Sequence, residues 1–381
     1  MMPSPRHLGF ARILPFAVLL VAVPPSHALL NIDGTRNQVF VFGGVTYNYS
    51  SNMFAEPVGR GDYTISAQAG VELKRRAGII ALNSVAKVDF VRYGEYSDEN
   101  TINPSFLIEL NKTTGRTTGA FTVSAFRETR SDSAVNLRTS SWNFPLGLNL
   151  KYPINDKFYL TAASGYLRRT YSDSQTALVD YTDFSEAVDL YYVYTSKLDL
   201  LGGYRLRVAT TSVEGRTVDH WFSVGATGGI FAKMSGTLRF GYQLRDMPGN
   251  NDERFAHFNA QAALNWPVTR KVALSLQLNR DFNTIATGYS VDSTTLSLSA
   301  AYTYSRKINF NAAVSAGQND FLGQTQGNRK DTFFSWTAGV RYKMNEHLQM
   351  GASYSYFRNW SSVSYADFDS HGYSVDVSSR Y

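Results

Sequence analysis

Alternation of apolar and polar residues is the feature that most constrains this chain. From Trp142 to Tyr152 every even position is apolar, and every odd one is polar, small or proline. The same period of two recurs along the chain, as in 272–278, 296–304, 334–342 and 348–356. A helix would scatter such residues around its circumference, whereas a strand places them on one face. The pattern therefore predicts an all-β chain from about residue 37 to the end.

The connections between these strands predict their number. Short turns are expected near 75–78, 112–116, 153–157, 195–197, 233–236, 267–270, 305–307 and 345–346. Longer polar loops are expected near 50–61, 94–101, 131–138, 172–183, 211–217, 246–252, 283–292, 322–330 and 359–370. Seventeen connections give about eighteen strands, with both termini on the side of the short turns. Short periplasmic turns and long extracellular loops are typical of bacterial outer-membrane barrels.

The alternative to a membrane barrel is a soluble β-sandwich, which also alternates. Two features favour the barrel. Aromatic residues mark the strand ends on the outward face, which is typical of a membrane interface: Tyr152, Phe158, Tyr194, Trp266, Tyr304, Tyr342 and Tyr381 at the short turns, and Trp142, Trp336 and Tyr373 at the long loops. The opposite face is polar, as expected for a water-filled lumen. We therefore predict a closed antiparallel transmembrane β-barrel; only the first strand leaves its outward face open.

The N-terminus predicts an exported protein. Positive residues precede an apolar run from Ile13 to Val23, and Ser26-His27-Ala28 offers small residues for cleavage. The pattern is typical of a secretory signal peptide over residues 1–28. A membrane anchor is the alternative, but the apolar run is shorter than the roughly 20 residues of a spanning helix. Residues 29–36 are then a short periplasmic lead-in, and 37–381 form the barrel.

Composition excludes several classes of function. The chain has no cysteine, which rules out disulfides and thiolate sites. Its net charge of +6 is small and dispersed, so no nucleic-acid partner is expected. Aromatic residues make up 14% of the chain while its mean hydropathy is −0.24, which fits apolar residues spread over alternate positions.

Enzymatic and metal chemistry find little support in the sequence. No histidine stands at metal-ligand spacing from another histidine. His257 and Ser275 both have lumen parity, which is the wrong face for a lipid hydrolase. The acidic stretch 246–254 lacks the regular spacing of a calcium loop, and a solvated loop is favoured. We expect no enzyme activity and no cofactor.

The C-terminal strand carries a second kind of signal. Tyr373, Val375, Val377 and Tyr381 share one face, and Tyr381 is the last residue. This resembles the terminal strand of bacterial outer-membrane proteins, in which a final aromatic residue is the signal for the barrel-assembly machinery. Tyr in place of the usual Phe, and Ser379, are departures from that pattern. An ordinary amphipathic strand is the alternative.

The segment Tyr47-Asn48-Tyr49-Ser50-Ser51-Asn52-Met53-Phe54 leaves the first strand. It resembles the early aromatic–Ser–Asn–apolar segment of the putative β-barrel porin 2 family. The resemblance covers the mature chain in layout and about eight residues in motif. It implies an outer-membrane barrel associated with exopolysaccharide production and export, with polysaccharide or its export machinery as partner. It carries no catalytic residues.

Basic residues with lumen parity form the candidate site. They are Arg205 and Arg207 on the ninth strand, Arg239 and Arg245 on the eleventh, and Arg341, Lys343 and Arg380 near the end. Rings of Arg and Lys favour anionic solutes. Some are expected to pair with Asp189, Asp281 or Asp376. The sequence thus predicts a passive outer-membrane channel for polar solutes, anionic or carbohydrate. A structural or adhesive barrel with a plugged lumen, binding a partner through its loops, is the alternative.

Overall fold

The structure is a computed structural model and describes residues 30–31, 37–172, 178–248, 253–323 and 329–381. Eighteen long strands account for most of these residues. They are β1 (Asn37–Ser50), β2 (Asp62–Ala77), β3 (Ile80–Tyr93), β4 (Thr101–Lys112), β5 (Thr118–Asp132), β6 (Leu137–Pro153), β7 (Phe158–Tyr171), β8 (Tyr181–Val193) and β9 (Leu198–Thr211). The others are β10 (Gly215–Phe231), β11 (Met234–Met247), β12 (Glu253–Pro267), β13 (Val272–Thr284), β14 (Ser290–Thr303), β15 (Ile308–Phe321), β16 (Lys330–Lys343), β17 (Leu348–Ser361) and β18 (Phe368–Arg380).

Every strand pairs antiparallel with its neighbours in sequence, and β18 pairs with β1 to close the sheet. The closing seam runs from Gly372 opposite Ser50 to Arg380 opposite Phe42. Val41 and Tyr381 complete it through two backbone hydrogen bonds, of 3.0 and 2.9 Å. Closure matters because an open sheet edge would leave backbone groups unpaired in hydrocarbon. The predicted closed barrel of eighteen strands is confirmed.

Shorter elements complete the described part of the chain. The two-residue strand Leu30–Asn31 pairs with β1 ahead of the barrel. One-turn 3-10 helices, Ser97–Glu99 and Ser364–Ala366, lie in two extracellular loops. No helix among the described residues is long and apolar enough to cross a membrane. The predicted signal peptide and most of the predicted lead-in lie outside the described residues.

Several extracellular connections are shorter than predicted. β5 and β6 are joined by residues 133–136 alone, and β9 and β10 by 212–214. The reason is that the strands continue beyond the apolar band of the outer face, where both faces are polar and alternation no longer marks them. Two strands, β6 and β10, reach 17 residues.

The outer face of the barrel carries its apolar side chains. Val224 is 66% exposed and Val45 is 53% exposed, as expected for residues that face lipid rather than a packed core. The structure also decides the outward face of β1, since Val41, Val45 and Tyr47 are exposed and odd positions therefore face out. Even positions of β1, including Phe40 and Phe42, line the lumen.

Candidate functional site: the lumen and its extracellular constriction

The four predicted arginines of β9 and β11 all face the lumen, and each forms an ion pair with an aspartate. The pairs are Arg205–Asp281, Arg207–Asp183, Arg239–Asp189 and Arg245–Asp219, with N–O distances of 2.8, 2.5, 2.7 and 2.6 Å. Two of the three predicted aspartate partners, Asp189 and Asp281, are therefore confirmed. Asp376 makes no ion pair with the described residues. This wall is charged but close to neutral, because each cation has its own anion.

Arg245 is the most enclosed of these arginines. Its side chain has no solvent exposure, and that of Asp219 is 2% exposed. Nε and Nη2 donate to the two carboxylate oxygens of Asp219 at 2.6 and 2.7 Å. Nη1 donates to Ser290 Oγ at 2.9 Å and to the Asn283 carbonyl at 3.3 Å. Arg245 therefore joins β10 and β11 to β13 and β14. Removing Asp219 would be destabilising, because it would leave the guanidinium buried without a compensating charge.

Arg341 and Lys343 occupy a different part of the lumen. Both lie at the periplasmic end of β16, and both are exposed. Neither forms an ion pair with another residue in the described ranges. Arg380 lies near them on β18, where it bonds to Glu72 and stacks over Phe40 at 4.2 Å. The predicted basic residues therefore form two groups, one ion-paired between mid-lumen and the extracellular end, and one exposed at the periplasmic mouth.

The wall between β12 and β13 is only partly closed by backbone pairing. The ladder runs from Pro267–Ala273 up to Gln261–Asn279 and stops there. Above this point β12 stays paired with β11, and β13 stays paired with β14. The upper parts of β13 and β14 therefore separate from β12 as a hairpin, here called the inner hairpin (residues 280–294).

The inner hairpin bends into the lumen. Arg207 on β9 donates to the carbonyl of Phe282 at 2.7 Å. The carboxylate of Asp281 receives Arg205 Nη2 at 2.8 and 2.9 Å and Gln243 Nε2 at 2.7 Å. These donors lie on strands two and four positions away around the wall, so the hairpin lies across the inner face of β9–β12. The ring of Phe282 is 1% exposed, although its parity is that of a lipid-facing position.

Side chains replace the missing ladder between β12 and the inner hairpin. Arg280 donates to the carbonyl of Phe258 at 3.4 Å and to Asp292 at 2.7 Å. Asn259 donates to the carbonyl of Arg280. His257 Nδ1 lies 3.0 Å from Asp292, and its ring packs 4.2 Å from Phe282. Two backbone carbonyls at the gap, those of Phe258 and Arg280, thus accept hydrogen bonds from side chains in place of the ladder.

The tip of the inner hairpin is hydrogen-bonded to residues at the β7–β8 and β9–β10 connections. Ser290 donates to Glu214 through its backbone nitrogen at 3.0 Å and its hydroxyl at 2.6 Å. Thr211 donates to the carbonyl of Gly288 at 3.3 Å. Val179 donates to the carbonyl of Ala286 at 2.9 Å. Burial raises the pKa of Glu214 above that of a free carboxyl, and the bonds from Ser290 oppose the shift.

A second bridge crosses the extracellular mouth at Arg329, just before β16. Arg329 is 3% exposed in its side chain and pairs with Asp331 at 2.6 Å. It also donates to the Ala134 carbonyl at 2.7 Å and to Asn136 Oδ1 at 3.2 Å, both in the β5–β6 connection. Asn136 in turn donates to the carbonyl of Ala55 in the β1–β2 loop at 2.8 Å. Loops from widely separated strands are thereby joined above the lumen.

The wall formed by β13 to β17 is polar without being charged at its mid-strand positions. Mid-strand inward positions of β13 to β17 carry hydroxyl, amide and small side chains, including Ser275, Gln277, Asn279, Ser297, Ser299, Asn311, Ser315, Ser335, Thr337, Ser353 and Ser355. Ser275 and Ser299 lie 2.7 Å apart across β13 and β14, and Ser297 bonds to Ser315. The lumen therefore has an ion-paired side on β8 to β11 and a neutral side on β13 to β17, while β2, β3 and β5 carry further ion pairs.

The hydrolase alternative gains no support from these contacts. His257 bonds to Asp292 and Ser275 bonds to Ser299, so the two do not form a nucleophile–base pair. Within the described ranges, no group of three or more His, Cys, Asp or Glu side chains is arranged to hold a metal ion.

Sequence reasoning missed the partners that fix this geometry. Asp183 and Asp219 have lumen parity on β8 and β10, and that parity could have identified them as partners of Arg207 and Arg245. Glu214, Ser290 and Arg329 lie at strand ends or in connections, where no periodic pattern marks a contact.

The C-terminal residues predicted as an assembly signal lie on the closing strand. Tyr373 and Val375 are exposed on the outer face, at 54% and 50%. Val377 follows them in the same row, and the ring of Tyr381 stacks on His347 at 4.8 Å. Their shared outward face agrees with the alternation in the sequence.

A closed eighteen-strand wall with an apolar outer face and a polar lumen is the architecture of an outer-membrane porin. Residues 220–381 match the family described as Putative beta-barrel porin 2. The match to Putative beta-barrel porin 2 runs from within β10 to the last residue and confirms the predicted resemblance. The match does not include Tyr47–Phe54, the segment whose sequence resembles the family. No curated protein matches the sequence.

Solved structures share the fold at low sequence identity. The outer membrane protein OpdK from Pseudomonas aeruginosa aligns with a TM-score of 0.52 and 8% identity, over 90% of this chain and 99% of its own. OpdK with vanillate gives 0.51 with the same identity and coverage. OpdQ from Pseudomonas aeruginosa gives 0.50 and 10% identity, over 91% of this chain and 97% of its own. The chain is accordingly a porin-like barrel of the bacterial outer membrane.

Proposed function

We propose that the barrel is a passive channel for uncharged, hydroxyl-rich solutes, with carbohydrates as the class of substrate. The neutral side of the lumen carries this proposal. Serine, threonine, asparagine and glutamine side chains both donate and accept hydrogen bonds, so they can exchange with the hydroxyl groups of a sugar at little cost in desolvation. The ion-paired side leaves little net charge to select a charged solute.

Passage of anions is the second candidate. Arg341 and Lys343 favour it, because both are exposed at the periplasmic mouth and lack an acidic partner among the described residues. OpdK has been crystallised with vanillate, a small aromatic carboxylate. The pairing of Arg205, Arg207 and Arg239 weighs against an anion path through mid-lumen, because aspartates already occupy these guanidinium groups.

The resemblance to Putative beta-barrel porin 2 suggests exopolysaccharide export as the setting of this channel, with the polysaccharide or its export machinery as partner. The inner hairpin and the Arg329 bridge narrow the extracellular mouth. They would restrict passage to a thin, extended solute unless the hairpin moves. A fully plugged structural or adhesive barrel remains the competing function.

Purified protein in proteoliposomes separates these functions. Swelling rates are compared for a neutral hexose and for the sugar acid of the same carbon number. We expect swelling with the neutral sugar at a rate equal to or above that of the acid. Absence of swelling, with the barrel shown to be folded by its heat-modifiable migration, would favour the plugged barrel. A tenfold preference for the acid would favour the anion channel.

A matched variant sharpens this comparison. The double substitution R341Q/K343Q removes the exposed cations and leaves the paired arginines in place. For a carbohydrate channel it leaves neutral-sugar swelling unchanged. For an anion channel it lowers uptake of the acid several-fold.

We further propose that Tyr373, Val375, Val377 and Tyr381 are read by the barrel-assembly machinery. The support is the outward face that Tyr373, Val375 and Val377 share on the strand that closes the barrel, and the pairing of Tyr381 with the outward-facing Val41.

A further inference from the structure

A row of polar side chains crosses the outer face near the extracellular ends of β7 to β10. Arg168 pairs in register with Thr182, Thr182 with Thr210, and Thr210 with Arg216. The four residues therefore lie side by side on consecutive strands. Their parity is that of the lipid-facing residues Tyr166 and Phe184 on the same strands. The row, here called the arginine row, thus faces outward rather than into the lumen.

The two arginines of this row are exposed and form no ion pair with the described residues. Three other outward-facing arginines near the extracellular edge do have carboxylate partners. Arg254 pairs with Asp246 at 2.7 Å, Arg280 with Asp292 at 2.7 Å, and Arg358 with Asp367 at 2.5 Å. The arginine row therefore presents two uncompensated positive charges at the outer leaflet of the membrane.

Below the row the outer face is apolar except at Glu186, which accepts a hydrogen bond from Ser164, and at His220, which lies 2.8 Å from the Tyr204 hydroxyl. Phe184 and Val188 on β8 are 40% and 51% exposed, and Phe222 and Val224 on β10 are 55% and 66% exposed. Three inter-strand steps separate Arg168 from Arg216, which is about 14 Å along the ladder. Two cations at this spacing, with two threonine hydroxyls between them, match a headgroup that carries a phosphate at each end of a sugar.

We propose that the arginine row is a binding site for one bisphosphorylated glycolipid of the outer leaflet. Arg168 and Arg216 each bind one phosphate, since guanidinium groups bind phosphate with paired hydrogen bonds. Thr182 and Thr210 contact the sugar backbone between the phosphates, and the acyl chains lie against β8 and β10. The site rests on the outer-membrane location and on the outward face of the row. It does not depend on what passes through the lumen.

The test uses the full barrel in detergent, with lipid A that carries two phosphates as the probe. Retained lipid is measured by native mass spectrometry for the wild type, R168Q, R216Q and the double variant. An arginine near a lipid surface contributes about fivefold to binding, so we expect about fivefold weaker retention for each single variant and about 30-fold for the double. Arg92 provides the matched control, because it is exposed on the outer face of β3 at the same edge, outside the row. R92Q should retain the lipid as the wild type does.

Three further probes identify the ligand. Lipid A with one phosphate should bind more weakly to the wild type, and R168Q and R216Q should each lose the preference for two phosphates. Phosphatidylglycerol and inorganic phosphate should not displace the bound glycolipid at equal concentration. Equal retention by the double variant and the wild type would overturn the proposal, as would equal binding of phosphatidylglycerol. Heat-modifiable migration of every variant confirms that a loss of binding is not a loss of folding.

Discussion

Asp281→Asn tests whether the inner hairpin is held in the lumen by charge. Asp281 accepts two bonds from Arg205 and one from Gln243, and the two partners in the ion pair are 19% and 13% exposed in their side chains. Breaking a buried ion pair by removing one partner costs about 3–5 kcal/mol. Both side chains keep some solvent exposure, and the amide of the substituted asparagine can still form hydrogen bonds. We therefore expect a smaller free-energy cost of about 2–3 kcal/mol. The equilibrium between the docked and undocked hairpin should therefore shift about 30- to 150-fold towards the undocked state.

Single-channel recording in planar bilayers measures this shift. D281N should show a larger conductance, or longer open periods, than the wild type, and amide hydrogen exchange over 281–292 should accelerate by a similar factor. Asp376→Asn is the matched control, since Asp376 also faces the lumen and makes no ion pair with the described residues. If D281N and D376N behave alike in both measurements, the hairpin is not held by this pair and the reasoning fails.

Three other expectations concern pH, the wall and assembly. Because the pKa of Glu214 is raised in the docked hairpin, the docked state binds more protons; its stability is fully present below the ordinary carboxyl pKa and is lost as pH rises through the raised value. Conductance should thus fall on acidification towards pH 4.5, and E214Q should lack that component of the pH dependence. The same pH profile in E214Q as in the wild type would show that the Glu214–Ser290 contact does not hold the hairpin. Leu298→Arg places a charge on the lipid face and should lower the free energy of unfolding in urea by about 2–4 kcal/mol, whereas Ser299→Arg, which faces the lumen, should cost little; equal losses would contradict the assigned faces. Removing Tyr381 should reduce the yield of assembled barrel in the outer membrane without preventing refolding in detergent, and normal assembly in cells would exclude its role as a signal.

The faces and number of the strands could be predicted because they depend on local rules. Period-two alternation from Trp142 to Tyr152 assigns each side chain to a face without knowledge of any partner. Turns are marked by short polar segments, as at Gly78, whose φ of +69° allows a tight connection between β2 and β3. A closed barrel then follows from the requirement that every backbone group in the membrane be paired.

The contacts inside the lumen could be predicted only in part. Arg245 and Asp219 are direct cross-strand neighbours, so their pairing depends on the register of β10 and β11. The sequence predicts that turn at 233–236, later than the observed break between Phe231 and Met234, and a displaced turn shifts every partner along the strand. The inner hairpin could not be predicted, because Phe282 keeps the alternation of a lipid-facing position while the ladder beneath it ends.

The short ladder between β12 and β13 also determines how the sequence can vary. Along most of the wall, backbone hydrogen bonds are indifferent to side-chain identity, so many substitutions that preserve polarity are tolerated. At the gap, the carbonyls of Phe258 and Arg280 are satisfied by the side chains of Arg280 and Asn259, and no backbone group replaces them. A scan of all single substitutions should therefore find a narrow strip of intolerance at Asn259 and Arg280, in addition to the ion-paired positions of the lumen.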